Sequence, residues 1–202
     1  NSEELAAQNM GTLDEIVVTA RRKQESLQDT PVAVTAINSA GLEARNITLV
    51  NQIAEVAPNV VFEPVAPLTG STNNGSIFIR GIGTTEFSLG TEPGVGVYVD
   101  DVYLARISGN VMSVVDIESV EVLRGPQGTL FGRNSIGGAL IVRSKRPADE
   151  LQASASIDYG TDNLFMVNGS IDLPISDKVR TKFSVQRRTQ DGYVEDIYDR
   201  ED

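Results

Sequence analysis

The chain has 202 residues, a formal charge of −11 from 17 Lys and Arg against 28 Asp and Glu, and neither Cys nor His. Its acidity disfavours duplex nucleic acid as a partner, and the missing residue types exclude Cys/His zinc sites, thiol chemistry, disulfide scaffolds and imidazole triads. Apolar residues make up 40%, with 18 Gly and 8 Pro, which allows a turn-rich core for one domain, or one domain plus part of another.

The chain opens NSEELAAQNM, acidic and without a long apolar stretch, so no signal peptide is in view. No apolar run approaches the roughly 18 residues of a membrane helix. Any membrane contact would therefore run through strands or a partner. Residues 1–13 read as a flexible tail. DEIVVTA (Asp14–Ala20) is a short β-branched run, followed by charged RRKQESLQDT and a second strand-like run, PVAVTAI. Ser39 is placed to cap a short helix ending near Asn46, and Thr48 a second helix with an apolar face at Leu49, Ile53 and Val56. Pro58 ends it.

Val60–Phe62 reads as a short strand, and residues 64–76 as loop by composition. IFIRGIG (Ile77–Gly83) and VGVYVDDVYL (Val95–Leu104) read as strands, separated by the polar stretch TTEFSLGTEPG. Within a strand, Asp100 and Asp101 would point to opposite faces, which argues against paired-carboxylate catalysis. ARISGNVMSVVD reads as helix or turn, IESVEVLRGP as a strand ending in a Gly-Pro turn, and GTLFGRNSIGGALIVRSK as Gly-punctuated with a closing strand. Short strands interleaved with a few short helices predict an α+β domain, a small mixed sheet ending near Pro147.

After Pro147 the pattern changes. Three runs of about ten residues alternate strictly: Ala153, Ala155, Ile157 and Tyr159; Phe165, Val167, Gly169, Ile171 and Leu173; Val179, Thr181, Phe183 and Val185, each with polar residues between. Period-two alternation fits both transmembrane barrel strands and a half-buried antiparallel meander. Three strands cannot close a barrel and would leave edges exposed, so the barrel alternative makes this chain a fragment. The ending YDRED does not look like a terminus that closes a fold.

IESVEVLRGPQGTLFGRNSIGGALIV resembles the signature of TonB-dependent outer-membrane receptors. The other family elements stand in family order: DEIVVTA where a TonB box belongs, Ile79-Arg80-Gly81, the YVDDVY strand, the LRGP block, then KRP at the barrel junction. The resemblance covers residues 12–190. One departure is visible: Ile141 stands where the family usually has Asn after GGxI. The resemblance implies a TonB box at 14–20, a plug at 21–147 and the first three strands of an incomplete barrel of roughly 22 strands at 148–202. It also implies an outer-membrane location with the N-terminal tail in the periplasm. The implied partners are the TonB C-terminal domain, the rest of the barrel, outer-membrane lipid and an external small-molecule ligand, with no nucleic acid. Gated uptake of an iron–siderophore complex is expected first, with cobalamin, haem, saccharide or aromatic cargo as alternatives, because fold does not encode cargo.

No catalytic residue, metal site or cofactor is expected. The TonB-binding candidates are Asp14, Glu15, Ile16, Val17, Val18, Thr19 and Ala20, which would add a strand to TonB by main-chain pairing; the alternative is an internal edge strand. Arg80 and Arg124 would face barrel glutamates and latch the plug, since desolvated Arg–carboxylate pairs are costly to break; the alternative is a pair of solvated turn arginines. Asn73, Asn74, Thr84, Thr85, Glu86 and Arg106 are the ligand-contact candidates on polar apices. The Gly125–Gly138 block lacks the Gly-Lys-Ser/Thr of a phosphate loop. That weakens a rival reading as an α/β enzyme, and a soluble periplasmic interaction or signalling module is the other rival.

Overall fold

The computed structural model describes residues 17–18, 23, 25–28, 30–63, 75–85, 91–105, 112–176 and 178–192. Contacts divide the chain into two compact units, Asn1–Ser144 and Lys145–Asp202.

The first unit is built on a five-stranded mixed sheet. Its strands are β3 (Val34–Asn38), β7 (Val95–Val99), β8 (Val102–Leu104), β9 (Ile117–Arg124) and β10 (Gly138–Ser144), in spatial order β3-β9-β10-β7-β8. Only β10 and β7 pair in parallel. β10 is central and covered on both faces, which is why Ala139, Leu140, Ile141 and Val142 form a continuous apolar run.

One face of this sheet presents Ile37, Val95, Val97, Val120, Val122, Leu140 and Val142. Against it pack helix α1 (Ser39–Ala44), a 3₁₀ turn at Val50–Glu55, and a small sheet of β4 (Val60–Glu63), β5 (Ser76–Ile79) and β6 (Ile82–Gly83). The opposite face presents Leu123, Ala139, Ile141 and Tyr98. There it meets Val18 from β1 (Val17–Val18), Leu27 just after β2 (Glu25–Ser26), and Phe131 from the single-turn helix α2 (Gly128–Phe131). Ile141, the departure from the family pattern, is buried in this second cluster.

Several local expectations shift. The cap of α1 is Asn38, whose Oδ1 accepts from the Gly41 amide at 2.9 Å. The second helix is a 3₁₀ turn in which Gln52 Oε1 accepts from the Thr48 and Leu49 amides at 2.8 and 2.9 Å, so Gln52 supplies the cap expected of Thr48. IFIRGIG is not one strand but β5 and β6 around a two-residue turn, with Arg80 at φ 53° and Gly81 at φ 79°. VGVYVDDVYL is likewise β7 and β8 around Asp100 and Asp101, at φ 48° and 67°. Consecutive positive φ values define the mirror-image turn whose twist suits a tight hairpin.

The second unit is an antiparallel meander, β11 (Gln152–Tyr159), β12 (Phe165–Ser176) and β13 (Val179–Thr189). The register places odd-numbered residues opposite one another, for example Ile157↔Val167↔Arg187 and Ala153↔Ile171↔Phe183. That face is apolar and open: Ile157 is 71%, Tyr159 78%, Phe183 62% and Val185 69% exposed. The even face is polar and internally bonded. Ser154 and Ser170 hydroxyls lie 2.8 Å apart, Asn168 Nδ2 donates to Ser156 Oγ at 3.0 Å, and Lys182 Nζ lies 3.6 Å from Asp172 Oδ2. Exposed apolar and bonded polar faces reverse the usual arrangement of a sheet in water, and match a strand set with lipid outside and polar groups inside.

Candidate functional site

Three groups of the sequence-predicted residues differ in what the fold does with them. Of the TonB-box candidates, Val17 and Val18 form β1, paired antiparallel with β2 as Val17↔Ser26 and Val18↔Glu25. Val18 is fully buried against Tyr98, Leu123, Phe131, Ala139 and Ile141. Below it lies an aromatic cluster: Tyr98 and Phe131 rings meet edge-on at 5.0 Å, and Tyr98 Oη donates to the Phe131 carbonyl at 2.7 Å. β2 is tied down by Thr30 Oγ1 donating to the Ser26 carbonyl at 2.9 Å. Burying one valine contributes about 2 kcal/mol, and a two-residue pairing adds little by itself. Among the described residues, Val18 is the side chain that holds β1 in the core. Asp14, Glu15, Ile16, Thr19 and Ala20 lie outside the described residues.

The two arginines come together. The Arg80 amide donates to the Asn59 carbonyl at 2.9 Å, while Arg124 Nη1 donates to the adjoining Pro58 carbonyl at 3.4 Å. Arg80 Nη1 lies 3.5 Å from where a Cβ on Gly125 would stand. The backbone turns sharply there, with Gly125 at φ 103° and its amide donating to Gly137 at 2.9 Å. Arg124 Nε is buried without a hydrogen-bond partner. Among the described residues, neither guanidinium has a carboxylate within ion-pair distance. The turn therefore gathers two positive charges and leaves their pairing to something else.

The ligand-contact candidates are barely reached. Thr84 is half-buried and Thr85 exposed, directly after β6. Asn73, Asn74, Glu86 and Arg106 lie outside the described residues. Among the described residues no group of three His, Cys, Asp or Glu is placed to hold a metal. Among the described residues no helix is long and apolar enough to cross a membrane, which does not bear on strands.

Sequence reasoning missed a clasp at the Asp-Asp turn. Asp100 accepts from the Ser144 amide at 2.9 Å and from Ser144 Oγ at 2.6 Å. Asp101 accepts from both Arg143 terminal nitrogens, at 3.1 and 3.3 Å. Two carboxylates thus grip the last two residues of β10. The turn itself had a signal, since two aspartates between β-branched runs mark a two-residue hairpin; what the two carboxylates reach had none. Glu121 was also passed over. It is fully buried on the Val18 side of the sheet, between Ala36 and Ile141 in register.

The first unit is thus a mixed sheet with short helices, a Gly-rich excursion between β9 and β10, and two arginines gathered at its turns. Residues 26–139 match the TonB-dependent receptor plug domain, and the chain belongs to that family. It is 25% identical over 189 residues to the vitamin B12 transporter BtuB of Vibrio vulnificus (strain YJ016), covering 94% of this chain and 30% of that protein. It is 26% identical over 180 residues to the pesticin receptor of Yersinia pestis, covering 89% and 24%. Among solved structures, the ferric yersiniabactin uptake receptor FyuA from Yersinia pestis superimposes with a TM-score of 0.67 at 23% identity, over 78% of this chain and 24% of that one. The siderophore receptor PiuA from Acinetobacter baumannii gives 0.70 at 20% identity, over 89% and 23%. The chain thus spans less than a third of the length of these relatives. The fold is an α+β plug followed by the first antiparallel strands of a receptor barrel.

Proposed function

We infer that residues 1–202 are the plug and first barrel strands of a TonB-dependent outer-membrane receptor that imports a scarce external ligand, an iron–siderophore complex. The N-terminal tail then lies in the periplasm, where residues 14–20 offer a strand to the TonB C-terminal domain. Docked as in this structure, Val17 and Val18 already use part of their backbone on β2. TonB pairing therefore requires β1 to leave, and the modest hold on Val18 makes that affordable. Arg80 and Arg124 then pair with glutamates of the complete barrel and keep the plug seated until it is pulled. Bidentate charge-assisted bonds suit that role, being geometrically specific and costly to break once desolvated.

The observation that carries the reading is the arginine pair: the fold brings both residues of the two Arg-Gly turns together and supplies neither with a carboxylate among the described residues. Siderophore cargo is supported by the FyuA and PiuA likenesses. Vitamin B12 is the second reading, favoured by the BtuB similarity. Cells lacking their own iron and B12 receptors, expressing the receptor that carries this chain, should grow on a ferric siderophore and stop when TonB is deleted. Growth rescue by B12 alone would move the cargo to the second reading. Rescue that persists without TonB would remove the energy-coupled role.

A further inference from the structure

On the apolar face of the meander one residue of the three strands is charged. Arg187 belongs to the same face as Val185, Val167, Phe165 and Ile157, by the register Ile157↔Val167↔Arg187 and Phe165↔Thr189. It is exposed, and among the described residues it makes no hydrogen bond or ion pair. Aspartates near that end do not engage it: the Asp191 carboxylate is taken by Asn163, and the Asp191 amide by the Asp162 carbonyl. A charge on a lipid-facing barrel surface is destabilising in proportion to its depth, so this position needs a compensating partner.

The face itself gives the depth. From Phe165 to Ile175, β12 runs about 33 Å at roughly 3.3 Å per residue. Tilted by about 40°, that length crosses about 25 Å, the height of the apolar band of a barrel. Tyr159 and Phe165, opposite each other in register, mark one border of that band. Aromatic residues collect where hydrocarbon meets headgroups. Arg187 lies one same-face step inside this border, next to Thr189. An arginine one step inside the border can reach it by running its methylene stem outward past Thr189 and Phe165, with the guanidinium at the headgroups.

We propose that Arg187, with Phe165 diagonal to it on β12 and Tyr159 one strand further along the same border, is a headgroup site that binds the phosphate of a membrane lipid and fixes the depth at which these strands sit. The planar guanidinium takes a phosphate by two parallel hydrogen bonds, and the aromatic border supplies the apolar flank for the first carbons of the acyl chain. The proposal rests on the barrel reading and adds a specific lipid contact to it.

The test uses the full-length receptor that carries this chain, refolded from urea into vesicles of phosphatidylcholine and, separately, of digalactosyl diacylglycerol, which has no phosphate. Folded and unfolded fractions are read by urea titration for the wild type, Arg187→Leu and Arg187→Lys. The expected result is a roughly tenfold loss of the folded-to-unfolded ratio for Arg187→Leu in phosphatidylcholine, the size of one hydrogen bond to a charged group. The same change in galactolipid should give no loss, and Arg187→Lys a smaller loss in phosphatidylcholine only. An equal loss in both lipids would assign Arg187 to a protein carboxylate and overturn the proposal. So would no loss in either, which would make the charge merely tolerated. Failure of the wild type to insert into either vesicle is a different result: it overturns the barrel reading itself.

Discussion

Arg80 holds φ 53° in a turn where glycine or asparagine is the usual choice. A non-glycine residue in that region costs about 1 kcal/mol. Its guanidinium ends beside Gly125 while its backbone amide donates to the Asn59 carbonyl, and Arg124 Nη1 donates to the adjoining Pro58 carbonyl. Because Arg124 has one long hydrogen bond within the plug and a buried Nε without a partner, Arg124→Ala should change the urea stability of the first unit by less than about 1 kcal/mol. In the intact receptor the same change should make the outer membrane permeable to a bulky antibiotic. A large loss of plug stability with no leak would assign Arg124 to the plug's own fold. Gly138 is the opposite case. Its φ is 147°, and a Cβ there would stand 2.1 Å from the Leu123 carbonyl oxygen, a backbone atom that cannot step aside. Gly138→Ala should cost about 3 kcal/mol or more in a urea titration. A variant as stable as wild type would contradict the packing of β9 on β10.

Among the elements of the first unit, β1 is among the shortest. Among the described residues it has two residues, a ladder with β2, and Val18 buried in the second core cluster. Val18→Ala removes two methyl groups from the second core cluster and should weaken docking of β1 by about 1–2 kcal/mol. Hydrogen exchange at the amides of residues 17–26 should then quicken roughly tenfold, with β9 and β10 unaffected. Equal acceleration across the sheet would mean that β1 is part of the global fold. How much of this was legible depends on the range of the forces involved. The long alternating runs gave away β11 to β13, because side-chain orientation in a strand repeats every two residues. The apolar run at 139–142 gave away a buried strand. The hairpins at Arg80–Gly81 and Asp100–Asp101 were read as continuous strands, since nothing in alternation marks a left-handed Arg or Asp. The cap of α1 fell on Asn38 instead of Ser39, a choice between two good capping residues decided by where β3 ends. Arg80 and Arg124 were legible as arginines before a glycine, but their meeting at Pro58 and Asn59 is a tertiary fact. The Asp100–Ser144 and Asp101–Arg143 contacts join residues more than forty positions apart, and no local pattern announces them.

At the scale of the molecule, the two units answer to different solvents. The first buries two apolar clusters on the two faces of one sheet. The second shows its apolar face outward and ties its polar face together. Family membership fixes the first unit as a plug, and the account of what it does turns on residues 14–20 serving as the strand that TonB takes. The direct measurement is the affinity of purified residues 1–202, kept in detergent, for the TonB C-terminal domain by calorimetry. The account predicts that Val17→Pro removes binding, because proline takes a donor from the shared ladder. It also predicts that Val18→Ala, which frees β1, tightens binding several-fold. Undiminished binding by Val17→Pro would contradict it.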